Sequence, residues 1–205
     1  MKRLLQGIDQ FQTKVFAEKR KLFTELAHEQ HPRTLFITCS DSRVDPALIT
    51  QTEPGELFVL RNAGNIIPPY EMSMGVGQEA TIDYAISILK VEHIIICGHT
   101  DCGAIHSLIH MDENQLSPPL RQWLSVADDV RKAAKVMECV DEADRLDKAI
   151  ALNVKLQLGH VATLPVVAAA LQLGVVQLHG WVYCIHEGSI KEIICTDALI
   201  ENVLG

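Results

Sequence analysis

Three side chains with reactive heads stand two residues apart in Cys39-Ser40-Asp41-Ser42-Arg43: a thiol, a carboxylate and a guanidinium. They follow the apolar run Leu35-Phe36-Ile37, which reads as a buried strand. A second string, Cys97-Gly98-His99-Thr100-Asp101-Cys102-Gly103, follows the apolar run Ile94-Ile95-Ile96 in the same way. Cys39, His99 and Cys102 together offer two thiolates and one imidazole, a ligand set suited to Zn2+. Three protein ligands leave one tetrahedral position for water, the pattern of a catalytic ion; a structural zinc takes four. Cys97 lies on the buried run and is expected to point into the sheet.

Zinc lowers the pKa of a bound water from ~15.7 towards neutrality. Two thiolates cancel the ion's formal charge, so such a water is less acidic than one held by three imidazoles and gains from a hydrogen-bond partner. Asp41 gripped by Arg43 fits that role, because a bidentate arginine keeps a carboxylate ionised and fixed. The same Asp41 could instead take the fourth zinc position and shut the site. The plainer alternatives are a structural zinc and an Asp41–Arg43 pair that only ties down a loop. A His/Cys/Cys deaminase is excluded, since neither H-x-E nor P-C-x-x-C occurs.

Short apolar runs must carry these groups. Strands are expected at Thr34–Thr38, Leu57–Leu60 and His93–Cys97, with a closing hairpin of Val175–Ile185, the turn Glu187-Gly188-Ser189 and Ile190–Cys195. Helical patterns cover Gly77–Leu89, Gly103–His110, Leu120–Met137, Asp141–Leu158 and Leu164–Leu173, with Gly159 as a candidate break and a last helix over Thr196–Leu204. Asp45 reads as an N-cap before Pro46, and Ser117-Pro118-Pro119 as a break. Strands alternating with helices predict an α/β fold: a mostly parallel central sheet of four to five strands, flanking helices and a helical N-terminal arm. In such a sheet ligands gather at the carboxyl ends of strands, where strand order reverses. Cys39 and His99 meet there if their strands are neighbours.

The arm, residues 1–31, carries Leu4, Leu5, Ile8, Phe11, Val15, Phe16, Leu22, Phe23 and Leu26 at helical spacing and ends at His31-Pro32. It packs either on its own core or on a partner subunit. Residues 32–205 then form the α/β core of a single domain spanning 1–205. A net charge of −8 argues against nucleic acid as a partner. No apolar stretch approaches the ~20 residues of a membrane span, and no signal-type apolar region follows Met1. We expect no membrane partner and a cytoplasmic or plastid-like reducing compartment, where Cys139, Cys184 and Cys195 remain buried thiols. His93, His106, His110, His160, His179 and His186 read as surface or satisfied core histidines.

The string Cys-Ser-Asp-Ser-Arg followed by His-x-x-Cys-Gly closely resembles the β-class carbonic anhydrases. The resemblance spans nearly the whole chain and includes Glu53–Asn65, Asp83-Tyr84-Ala85 and Leu178–Tyr183. It implies that Cys39, His99 and Cys102 bind zinc, that Asp41 and Arg43 form a catalytic dyad, and that a zinc-bound hydroxide converts carbon dioxide to bicarbonate and a proton. It also implies substrate-binding roles for Gln30, nine residues before Cys39, and for Phe58 and Tyr84 as apolar pocket residues. Gly103 most simply permits a close helix–sheet approach, although its N–H could bind substrate oxygen.

The family has an open, plant-like form and a bicarbonate-regulated form in which the aspartate closes on zinc. Arg61 and Tyr183 match the regulated form, but Phe36 stands where that form has tryptophan, so an open site is expected. The branch resembled is the plant-like, cyanobacterial one. Its carboxysomal members often carry a long C-terminal extension, and with the chain ending at Gly205 carboxysome recruitment is not expected. Asp101 departs from the small or neutral residue common in relatives and is expected to face away from the ion. The resemblance further implies a homo-oligomer, a dimer or dimer of dimers, joined by the arm with the site at the interface. Rival readings are hydrolysis of carbonyl sulfide or carbon disulfide on the same zinc, and a non-catalytic zinc-bearing bicarbonate sensor.

Overall fold

Among the described residues five strands form one sheet: β1 (Thr34–Cys39), β2 (Leu57–Asn62), β3 (His93–His99), β4 (Gln177–Cys184) and β5 (Ser189–Ile193). The structure, a computed structural model, describes residues 1–73, 77–110 and 116–193. The strand order is β2-β1-β3-β4-β5; the first four are parallel and β5 returns antiparallel along β4. Continuous apolar runs put β1 and β3 at the centre, buried on both faces as parallel strands require. From β1 the chain crosses to one side, and from β3 to the other. The strand order therefore reverses between β1 and β3, and a crevice opens at their carboxyl ends.

One face of the sheet builds the main core. Leu35, Ile37, Ile94, Ile96 and Val182 pack with Ile150, Val154 and Leu158 of the helix Glu142–Thr163. Gly98 and Gly180 let that helix approach: a Cβ at Gly98 would lie 2.9 Å from Val154 Cγ2, and one at Gly180 2.8 Å from Leu158 Cδ1. A smaller cluster of Phe36, Ile95 and Cys97, with Leu57, Trp181 and Tyr183, occupies another part of the sheet, and Phe36 meets Trp181 edge-on at 6.0 Å.

The strands run one or two residues further towards the site than their apolar runs suggest, because pairing continues through Cys39, Asn62 and His99. Ser117-Pro118-Pro119 does not break structure; the prolines occupy the first turn of the helix Pro118–Leu124, where a missing N–H costs nothing. Gly159 does not interrupt Glu142–Thr163, a helix capped by Asp141, whose carboxylate accepts from Asp144 N. The Gly77–Asp83 helix widens into a π-helical turn over Tyr84–Ile88. Asp45 caps Pro46–Thr50 as read from sequence, with Leu48 N donating to it at 3.2 Å. The expected Thr196–Leu204 helix and Cys195 lie outside the described residues.

Residues 1–31 form a separate unit. Helix Lys2–Gln10 continues through Phe11–Glu18, turns at Lys19 and resumes over Arg20–Leu26. Phe16 and Phe23 stack at 5.4 Å, and Phe11 meets both edge-on at 6.3 and 5.7 Å. Leu4, Leu5, Ile8, Phe11 and Val15 are exposed along this unit. Among the described residues no single helix is long and apolar enough to cross a membrane.

Candidate active site

Cys39 ends β1, His99 ends β3, and Cys102 precedes the first turn of helix Gly103–Ile109. The reversal of strand order brings all three together, fully buried, with their donor atoms within 4.8 Å of one another. The two sulfurs are 4.0 Å apart. His99 Nδ1 lies 2.9 Å from the Thr100 carbonyl, so Nδ1 carries the proton and donates. That leaves the Nε2 lone pair facing the sulfurs, buried and without a hydrogen-bond partner. Leaving such an acceptor unpaired costs about 1–3 kcal/mol. A cation at this point removes the cost, and two thiolates with one imidazole match zinc.

The thiols agree. A hydrogen bond from Cys102 pulls the Cys39 thiol down against the opposing effect of burial, with smaller help from the Gly64 N–H. Cys102 is pushed up by the same hydrogen bond and by burial. Cys97, by contrast, is pushed up to about 12 by burial and is an inert core thiol.

Beside the sulfurs, Arg43 grips Asp41 through Nε–Oδ1 and Nη2–Oδ2 bonds of 2.9 Å each, and Arg43 N adds a third bond of 3.0 Å to Oδ1. The guanidinium holds the carboxyl well below the usual carboxylate range, outweighing partial burial. Asp41 Oδ2 stands 3.8 Å from His99 Nε2, turned to arginine yet next to the ligand set. Arg61 fixes the loop from below, donating to the carbonyls of Cys39 and Asp41 at 3.0 and 2.8 Å. Asp101 is exposed, and its left-handed backbone, φ 55°, aims its carbonyl at Arg43 Nη2, 2.9 Å away.

Phe58 and Tyr84 form a ring pair at 5.9 Å. Phe58 pairs with Leu35, four positions from Cys39 along the strands, or about 13 Å at ~3.3 Å per residue. Gln30 belongs to the N-terminal unit. At Gly103 a Cβ would meet nothing within 4 Å, so close packing does not explain this glycine; Gly98 and Gly180 are the close-approach positions. Cys139 is half-buried rather than buried.

Sequence reasoning missed three supports. Gly64, at φ 80°, points its N–H at Cys39 Sγ, 3.4 Å away. Its carbonyl accepts from Asn153, which in turn accepts from Gln157, whose Oε1 receives Ile67 N. The signal was a polar pair four residues apart on the apolar face of Ile150, Val154 and Leu158. Thr100 is the third: its N–H donates to Tyr183 O, and its hydroxyl accepts from Ile185 N, so the carbonyl that orients His99 is held from both sides.

A family model described as carbonic anhydrase matches residues 34–190. The chain belongs to the β-carbonic anhydrase family. A carbonic anhydrase of Synechocystis is 42% identical over 207 residues, covering 100% of this chain and 74% of that one. The solved β-carbonic anhydrase CcaA superposes with a TM-score of 0.88 at 42% identity, covering 94% of this chain and 86% of the other. A tetrameric β-carbonic anhydrase of Sordaria macrospora superposes at 0.83 with 29% identity, covering 94% and 96%. The Cys39–His99–Cys102 group and the Asp41–Arg43 pair both lie within the matched carbonic anhydrase region, and the chain is an enzyme of this family.

Proposed function

We propose that Cys39, His99 and Cys102 hold zinc and that the enzyme interconverts carbon dioxide with bicarbonate and a proton. The observation that carries this reading is the unpartnered, buried His99 Nε2 beside two sulfurs, with Asp41 clamped alongside. A zinc ion bound there supplies the Lewis acidity that makes water a nucleophile near neutral pH. Asp41, kept anionic by Arg43, would offer Oδ2 as a hydrogen-bond acceptor for a water held beside Cys39, His99 and Cys102. Arg43 is itself fixed by Asp101 O, so the dyad is preorganised. Gly103 N–H, at the start of its helix, is a donor available to a substrate oxygen.

The site is completed by a second copy of the chain. The exposed stripe of residues 1–15, the exposed Tyr84 and the tetrameric assembly of the Sordaria relative support this. In that arrangement Gln30, Phe58 and Tyr84 line a substrate pocket shared between subunits. The unpaired Cys39, Cys97, Cys102, Cys139 and Cys184 fit a reducing cytoplasm. Stopped-flow carbon dioxide hydration, with zinc content measured on the same sample, tests the proposal. Turnover that tracks zinc is expected; zinc-replete protein without turnover contradicts it.

A further inference from the structure

A second set of metal-binding groups lies at the tip of the β4–β5 hairpin. Cys184 ends β4, and His186 and Glu187 stand in the turn that Gly188, at φ 70°, closes onto Cys184 O with a bond of 2.9 Å. Donor atoms of the three residues lie within 4.8 Å of one another. Cys184 Sγ is 3.4 Å from His186 Nδ1, the ring nitrogen that would share an ion with the sulfur; the 3.4 Å contact of Glu187 Oε1 is to the other ring nitrogen, Nε2, and would give way to the ion. Ser189 Oγ donates to Glu187 Oε2 at 3.0 Å and steers the carboxylate. With zinc–ligand bonds of ~2.0–2.3 Å, neighbouring donors in a tetrahedron stand roughly 3.2–3.7 Å apart. The sulfur–nitrogen spacing already has that length. Cys184 is buried, while His186 and Glu187 are exposed, so an ion would enter from solvent and keep a water on its outer side.

We propose that Cys184, His186 and Glu187 form a second site for a divalent transition metal, with zinc as the matching ion. One thiolate, one imidazole and one carboxylate suit zinc; magnesium and calcium take oxygen donors instead. Exposure of His186 and Glu187 on a solvent-facing turn makes this site weaker than the buried Cys39–His99–Cys102 group. Its position gives it reach, because Ile185 N, inside the same turn, donates to Thr100 Oγ1, and Thr100 O accepts from His99.

The test is a zinc titration of the full chain against a metal buffer, with bound metal counted per chain. The parent is expected to fill one equivalent tightly and a second at higher free zinc. The variant His186→Ala/Glu187→Gln, altered only at exposed side chains, is expected to keep the first step and move the second to at least tenfold higher zinc. With cobalt, the second equivalent is expected to add thiolate-to-metal charge-transfer absorption that Cys184→Ser loses. A parent that saturates at one equivalent, or a second step that moves less than tenfold in the variant, overturns the proposal. Loss of the first step alone would bear on the Cys39–His99–Cys102 reading instead.

Discussion

Arg43 closes on Asp41 with two N–H···O bonds of 2.9 Å and anchors the same Nη2 on the Asp101 carbonyl. The carboxylate is thereby turned to arginine while its Oδ2 stays 3.8 Å from His99 Nε2. Arg43→Ala releases it. We expect carbon dioxide hydration to fall by roughly 10²–10⁴-fold, the range associated with a positioned proton-handling group, with zinc content unchanged. Metal analysis beside stopped-flow rates separates the two quantities; a near-parental rate would show that the clamp is only structural.

The Gly64 loop depends on a buried relay through Asn153 and Gln157. Asn153→Leu leaves Gly64 O and Gln157 Nε2 without partners inside the core. Each buried unsatisfied group costs about 1–3 kcal/mol, so urea unfolding should show a loss of that order or more. An unchanged midpoint would mean the relay contributes nothing.

Gly98→Ala places a methyl 2.9 Å from Val154 Cγ2 and 3.3 Å from Ile150 Cγ2 on the central strand. Overpacking of this kind costs about 1–3 kcal/mol. Thermal unfolding should show a lowered Tm, whereas Gly103→Ala, whose Cβ meets nothing, should leave Tm within a degree or two of the parent.

His160 is held neutral by burial, with a smaller opposing pull from the Ile67 carbonyl at 2.7 Å. Its folded pKa lies below the unfolded value of ~6.5, so the unfolded chain takes up a proton that the folded chain refuses. Stability from this residue is therefore full above pH ~6.5 and falls as the pH drops through that value towards the folded pKa. Urea midpoints between pH 5 and pH 8 should flatten in His160→Gln relative to the parent; parallel curves would exclude this source.

The meeting of Cys39, His99 and Cys102 and the neighbouring Asp41–Arg43 pair were legible in the sequence because their reactive side chains cluster at the ends of apolar runs, and runs such as Leu35-Phe36-Ile37 declare their own strands. The proline-led helix Pro118–Leu124 was not, since Pro-Pro signals both a break and a helix start, and only the tertiary setting decides. Gly64 and Thr100 were invisible for a different reason: they act through backbone atoms, which every residue has, and only geometry shows where an N–H or a carbonyl points. Cys184 and His186 each resembled an ordinary core or surface residue; the tight turn is what sets them side by side.

The most direct test of the central claim is zinc K-edge absorption on protein carrying a single zinc equivalent. We expect two sulfur neighbours at ~2.3 Å and two lighter neighbours at ~2.0–2.1 Å, one from imidazole and one from solvent. A shell of four protein donors, or one lacking the sulfur pair of Cys39 and Cys102, would contradict it.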